Sequence, residues 1–417
     1  MTTTAPIRLL HVELEGYGPT RQVGRLAWHE RRALFEFNPG FLASGIALSP
    51  FHLRLQPNVL TAFPGLFDGL HGVFNDSLPD GWGRLLLDRH LRAQGLSPGA
   101  LTPLDRLAYV GHRGMGALTY RPEHPQQTPS QTHALDLDDL AKDAQLVLAG
   151  ETVDVLERLM DLGGSSAGAR PKVLIGLSDD RRSVVHGVDT LPPGHAHWLV
   201  KFRNQSDPDD MGALEVAYAA MAKLAGIQQN PVTLLPSRTG CGHFATLRFD
   251  RVGERRVHVH TACGMLHADH RMPSIGYETL LKATRALTKN QADVDQMFRR
   301  MVFNVLAHNR DDHTKNHAFL LREDGAWTVA PAYDLTFSDG PAGEHALDVA
   351  GEGRAPRLAH LLEVAKKTGV AAKTANACVV EVRAAVAAWP TIATDIGVST
   401  ASARRVSEAL QRVAGAL

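Results

Sequence analysis

The apolar positions change period several times along the chain, and each change predicts a new element. Ile7–Leu14, Val23–Trp28 and Ala33–Phe37 read as strands. A helix is expected to open at Leu78-Pro79-Asp80, with Pro79 in its first turn, and to run on to Leu91. A second should cover Pro103–Val110, stopping at Gly111, before Gly114-Met115-Gly116 and a short strand at Ala117–Tyr120. Residues 122–133, rich in Pro, Gln, Thr and Ser, form the clearest linker. Leu135–Leu148 and Thr152–Leu162 read as helices.

Beyond them, small residues from Gly163 to Ala169 lead through Arg170, Pro171 and Lys172 into the apolar strand Val173-Leu174-Ile175. His197–Phe202 is a strand with one lysine, Lys201, set among apolar neighbours. Glu215–Gly226 has a helical pattern ending at a glycine C-cap, with Glu215 in its first turn. Phe244–Arg251 and Val257–His260 are strand-like runs around a polar turn at Gly253-Glu254. Met301, Val302, Val305 and Leu306 fall at helical spacing. Ala318–Leu321 and Trp327–Ala330 are short apolar strands around the turn dipeptide Asp324-Gly325. Ala371–Trp389 and Ala401–Leu417 are helical by pattern. The order predicts an α+β chain: a β/α module over 1–120, a linker over 121–134 and a core over 135–417 that divides near 250.

Between the helix ending near Leu306 and the strand at Ala318 lies His-Asn-Arg-Asp-Asp-His-Thr-Lys-Asn-His, residues 308–317. Surface solvation is a poor account of such density between two apolar elements, and a polar loop on a rigid frame is where reactive groups are usually mounted. If the two strands after it pair as a hairpin, Asp334 returns beside Asp311 and Asn316. Two aspartates and an asparagine make a hard-oxygen site suited to Mg²⁺ with phosphate oxygens. The spacing Asp311 to Asn316 is also that of the protein-kinase catalytic loop, D-x-x-x-x-N. On that reading Asp311 is the base, Asn316 and Asp334 hold metal, Lys315 offsets charge on the transferring phosphate and His313 orients the loop. A hydrogen-bonded turn would explain any one of these residues alone.

Upstream candidates for the remaining parts occur in matching order. The loop around Ser166, Ala167 and Gly168 can bring backbone N–H groups close to an anion, although it is not a Walker A sequence. Lys201 needs an anionic partner or an exposed face, and Glu215 is its candidate partner. Leu247 to Phe249, including Arg248, is where adenine would lie against backbone.

Composition narrows the alternatives. Lys+Arg and Asp+Glu are 44 each, and no block of like charges suggests nucleic-acid or membrane-surface binding. The three cysteines, Cys241, Cys263 and Cys378, lack C-x-x-C spacing and read as small buried thiols. No apolar run approaches the ~20 residues that span a bilayer, and the first residues lack signal-peptide character. The expectation is a cytoplasmic protein.

With these residues in hand, the chain resembles the HipA-type Ser/Thr kinase toxins of bacterial toxin–antitoxin pairs. The resemblance rests on Val23-Gly24-Arg25-Leu26, Phe74-Asn75-Asp76-Ser77-Leu78-Pro79-Asp80-Gly81-Trp82-Gly83, the run Ser165–Lys172, Arg248-Phe249-Asp250-Arg251, D-x-H-x-K-N at 311–316 and Pro331-Ala332-Tyr333-Asp334. It implies a two-lobed kinase-like fold with a β-rich N-terminal subdomain and a mostly helical C-terminal lobe. It implies ATP and Mg²⁺ as cofactors and transfer of phosphate to a protein Ser or Thr. Autophosphorylation would fall on Ser165 or the adjacent Ser166. Implied partners are a protein substrate, such as an aminoacyl-tRNA synthetase or other translation factor, and a HipB-like helix-turn-helix antitoxin, through which alone DNA would be met. Leu247 stands where some relatives carry an acidic residue, and His308-Asn309 where many carry Gly-Asn.

Two rival readings have different consequences. A metallohydrolase would use His308, Asp311, Asp312, His313 and His317 on a transition metal, but leaves the upstream Lys, Glu and loop without a task. A non-catalytic, kinase-shaped partner of the antitoxin would have no need of Asp311, Asn316, Asp334 and Lys201.

Overall fold

The computed structural model describes residues 6–123, 135–150, 156–163, 168–187, 190–272 and 274–416. The expected linker therefore falls largely outside the described residues, as do Ser165, Ser166 and Ala167. The chain forms two compact units: Met1–Asp207 with Ala245–His260 and Leu321–Gly325, and Pro208–Phe244 with Thr261–Leu320 and Ala326–Leu417. The N-terminal module thus shares a unit with the expected nucleotide-binding strands.

In the first unit, β1 (Leu9–Leu14), β2 (Arg21–His29), β3 (Arg32–Phe37), β4 (Leu60–Thr61) and β5 (Leu118–Arg121) form one sheet in the order β4-β3-β2-β1-β5. Alternation fixes its register, for Leu10, Val12 and Leu14 are buried with Leu26 and Phe35. The helix Pro103–Val110 begins as expected, because Thr102 and Asp105 close a capping box around Pro103, an arrangement in which the cap alone contributes about 1 kcal/mol. The helix expected from Leu78 begins only at Gly81, with Asp80 at its N-cap, so Pro79 lies outside its first turn.

A second sheet carries β6 (Lys172–Ser178), β7 (Val184–His186) and β8 (His195–Lys201) in the order β7-β6-β8, followed by the strand His243–Leu247. The anticipated run 257–260 is strand only from Val259 to Thr261.

The second unit is built on helices. Gln291–Leu306 buries Val294, Met297, Phe298, Met301, Val302, Phe303, Val305 and Leu306, each worth about 1.5–3 kcal/mol when fully removed from water. The helix expected over Glu215–Gly226 starts earlier, at Met211. Glu215 therefore lies beyond the first turn and is buried, so the helix dipole does not account for its position. Gly226 supplies the left-handed residue that ends the helix, with φ 74°. Leu358–Thr368, Ala372–Ala387, Trp389–Ile396 and Thr400–Ala416 complete the unit, the expected run to Trp389 being broken by a bend. Among the described residues no single helix is long and apolar enough to cross a membrane.

Candidate active site

The polar loop leaves the helix Gln291–Leu306 through His308, whose φ of 53° turns the chain sharply. It ends in a single 3-10 turn, Thr314–Asn316, before the strand Ala318–Leu321. That strand pairs with Trp327–Val329, as the apolar spacing predicts. The hairpin geometry is also as expected, for Ala330 N–H donates to Ala318 O at 2.9 Å, setting the end of the second strand beside the start of the first. Arg300, buried in the helix, fixes the same point by donating from Nη2 to Ala330 O at 2.6 Å.

Four residues later, Asp334 takes a left-handed φ of 54°, unusual for a residue with a Cβ. Its neighbour Tyr333 donates its hydroxyl to Lys315 O at 2.5 Å. The loop and the end of the hairpin are thereby joined next to Asn316. Asn316 donates from Nδ2 to Asp311 O at 2.7 Å, tying the two ends of the D-x-x-x-x-N run together. That bond uses the amide nitrogen and leaves the amide oxygen of Asn316, which with a carboxylate such as that of Asp334 is the hard-oxygen donor type that Mg²⁺ takes. Asp311 exposes 53% of its side chain, and His313 Nε2 lies 3.8 Å from its carboxylate.

Asp312 has the opposite environment. It is buried, and accepts from Tyr277 Oη at 2.6 Å, His345 Nδ1 at 2.9 Å and Ala346 N at 2.8 Å. Burial pushes its carboxyl up, but the donors, His345 foremost, outweigh that and hold it below the usual carboxylate range. Tyr277 accepts in turn from Asn304 Nδ2 at 2.8 Å, and Asn304 Oδ1 accepts from Asn309 Nδ2 at 2.9 Å.

The histidines that suggested a transition metal have separate tasks. His308 meets Asp339 at 3.0 Å and stacks on Phe337. His313 faces His270, and His317 packs edge-on against Tyr277. Among the described residues no three His, Cys, Asp or Glu side chains gather at a metal-holding distance. Burial, reinforced by the Arg300 charge, lowers His317 to about 4. The unfolded value is about 6.5, so between these pH values the unfolded chain binds more protons and acidification destabilises the fold. Lowering the pH from 7 to 5 is expected to cost about 2 kcal/mol through His317 alone. Denaturant midpoints at both pH values should show a smaller loss for His317→Gln; an equal loss would remove this residue from the account.

In the first unit, Lys172 and Lys201 stand directly opposite in the antiparallel register of β6 and β8. Directly paired residues share a face, so two ammonium groups are directed to the same side of the sheet. Lys172 is buried, and its Nζ occupies the space where a side chain on Gly168 would begin. This explains why glycine, with φ 106°, stands there. The root of the small-residue loop is also anchored: Trp82 N–H donates to Gly168 O at 3.0 Å, Gly168 N–H to the Asp80 carboxylate, and Arg170 donates from Nε and Nη2 to the two Asp207 carboxylate oxygens. Lys172 closes the small-residue run, and the register of β6 and β8 is what sets it opposite Lys201.

Arg248, in the segment expected along the adenine edge, has its partners within the fold. Its backbone N–H donates to His197 O at 2.9 Å, and its guanidinium forms two bonds to Asp250. The Arg248 backbone N–H is thus taken by a carbonyl and its guanidinium by the buried Asp250 carboxylate. Lys201 belongs to the first unit and Glu215 to the second.

Comparison with known proteins is decisive on kinship. A HipA N-terminal domain matches residues 14–121, and a HipA-like C-terminal domain matches residues 164–389. The chain belongs to the HipA family. It is similar to the putative kinase Y4dM of Sinorhizobium fredii, with 28% identity over 151 residues, 33% of this chain and 36% of that protein. The match thus spans about a third of that relative's length. Across 98% of this chain and 96% of the other, its fold is that of HipA from Shewanella oneidensis MR-1, solved with HipB and operator DNA, at a TM-score of 0.70 and 16% identity. The architecture is therefore the two-lobed, kinase-like fold of HipA proteins. In this HipA-family chain the motifs 311–316 and 331–334 are the two that the hairpin brings to one place.

Proposed function

We propose that this HipA-family protein is an ATP- and Mg²⁺-dependent kinase that transfers the γ-phosphate to a Ser or Thr of a protein. The observation that carries the reading is the joined loop and hairpin: Asn316 tied to Asp311 O, and Tyr333 tied to Lys315 O beside Asp334. Asp311, carrying an exposed carboxylate on a fixed backbone, would accept the proton of the attacking hydroxyl. Asn316 and Asp334 would hold Mg²⁺, which when bound offsets charge on the phosphate oxygens. Lys315 would act near the transferring group, and His313 would orient Asp311.

Lys201 and Lys172 would attract the nucleotide phosphates, assisted by Ser166, Ala167 and Gly168 of the small-residue loop. The segment 247–249, Phe249 included, would line the adenine edge through backbone groups, the Arg248 guanidinium remaining on Asp250. Ser165 or Ser166 would be the autophosphorylation site. The likeness to a HipA solved with HipB supports a HipB-like antitoxin as partner.

The purified protein with radiolabelled ATP and Mg²⁺ is expected to label itself on Ser165 or Ser166. Absence of both labelling and any calorimetric MgATP binding would overturn the proposal. Lys201→Met should weaken MgATP binding about tenfold, or ~1.4 kcal/mol, and an unchanged dissociation constant would exclude Lys201 from the nucleotide site.

A further inference from the structure

Asp311 is flanked by Arg310 and Asp312, and both flanking side chains bond to the segment that follows Asp334. Arg310 donates from Nη1 to Gly343 O at 2.7 Å and from Nη2 to Arg354 O at 2.9 Å. Its backbone N–H donates to Ser338 O at 3.1 Å, and Ser338 N–H donates back to His308 O at 3.1 Å. Gly340, with φ 73°, lets the chain pass close by, since a Cβ there would fall 2.9 Å from Arg310 Cβ and 2.4 Å from Glu344 O. Asp312 receives His345 Nδ1 and Ala346 N from the same segment, and Tyr277, its third donor, gives its backbone N–H to Asp348 O at 2.9 Å. Residues 338–354 are thus attached at several points to the backbone on either side of Asp311.

In many protein kinases the corresponding segment is ordered by a phosphate that it carries, which pairs with arginine. Here the Arg310 fork is occupied by two backbone carbonyls. Within 338–354 the one hydroxyl side chain is that of Ser338, the first residue, whose Oγ accepts from Gly340 N–H at 3.2 Å, and 339–357 contains no Ser, Thr or Tyr. We infer that Arg310 and Asp312 are positioning residues that keep Asp311 and the segment 338–354 assembled without phosphorylation of that segment. The inference rests on the kinase reading and adds its regulation: any switch acts elsewhere. The fork matters more than the charge, because a lysine offers one ammonium and cannot span Gly343 O and Arg354 O in the same planar way.

The test combines turnover with hydrogen exchange in the full-length protein. Arg310→Lys and Asp312→Asn are expected to lower kcat about tenfold or more, to leave the MgATP dissociation constant within about twofold, and to speed amide exchange across 343–354 about tenfold. Asp311→Ala should lower transfer about 10²–10⁴-fold yet leave that exchange as in the wild type. A wild-type protein that transfers no phosphate would defeat the kinase reading, while the exchange maps would still test the brace. The inference is overturned if both variants lose activity with 343–354 still protected, or if mass spectrometry finds phosphate on Thr336 or Ser338 whose removal stops turnover. If Asp312→Asn does not fold, Tyr277→Phe, which removes one of three donors, carries the same comparison.

Discussion

Asp311→Ala is expected to lower phosphoryl transfer by about 10²–10⁴-fold, the range for losing a positioned general base, with fold and MgATP binding retained. The physical ground is that the Asp311 side chain and backbone have separate partners. Asn316 bonds the Asp311 carbonyl, a group that alanine also has. Arg310 and Asp312 hold the residues on either side. Removing a half-exposed carboxylate therefore subtracts a proton acceptor without unfastening the loop. Single-turnover transfer beside calorimetric MgATP binding is the appropriate pair of measurements. A transfer rate within tenfold of wild type would end the assignment of Asp311, and a lost affinity would mean that it serves the nucleotide instead.

The largest stability effect is expected at Asp250, in the first unit. This carboxylate is fully buried, with Arg248 Nε and Nη2 at 2.9 and 2.8 Å, Arg251 Nη1 at 2.7 Å and Gly116 N at 2.8 Å. Asp250 thus pairs two guanidiniums, and Arg251 together with Arg256, whose ion-pair partner is Glu15, donates to the carbonyls of Gly114 and Gly116 at the end of the N-terminal module. Burial raises the carboxyl, but Arg248 and Arg251 overcome it and hold Asp250 far below the usual range. Asp250→Asn removes the charge at nearly constant shape and leaves buried cations uncompensated, a change that costs about 3–5 kcal/mol. The contribution of Asp250 is fully present above the ordinary carboxylate pKa and disappears as pH falls through its depressed folded value. Denaturant unfolding at neutral pH should show a lower midpoint with a similar slope. A loss below about 1 kcal/mol would mean that Arg248 and Arg251 find other partners.

Much of this frame is legible from local pattern. Alternation around Val12 and Phe35 marks a two-faced sheet, and Thr102-Pro103 with Asp105 marks a helix start through groups three residues apart. The Asp324-Gly325 turn between two apolar runs predicts the hairpin, and the hairpin predicts where Asp334 returns. Family membership follows from the same motifs, since 311–316 and 331–334 are short and specific. Other features depend on contacts that spacing does not encode. The helix carrying Glu215 begins at Met211 because Ala213, Leu214 and Val216 bury on its first turns, which a search for an N-terminal acid misses. That the Arg248 guanidinium donates twice to Asp250, two residues away, is likewise decided by packing, which buries the carboxylate.

The two neighbouring aspartates mark the boundary most clearly. The sequence alone determined that an acidic pair, an asparagine and a returning aspartate share one loop and hairpin, because turn chemistry and apolar period act over a few residues. Only the tertiary structure decided that Asp312 is buried and Asp311 exposed. That division depends on Tyr277, His345 and Ala346, which lie more than thirty residues from Asp312 and reach it only when the helices pack. A carboxylate enters the interior only where such donors replace its water.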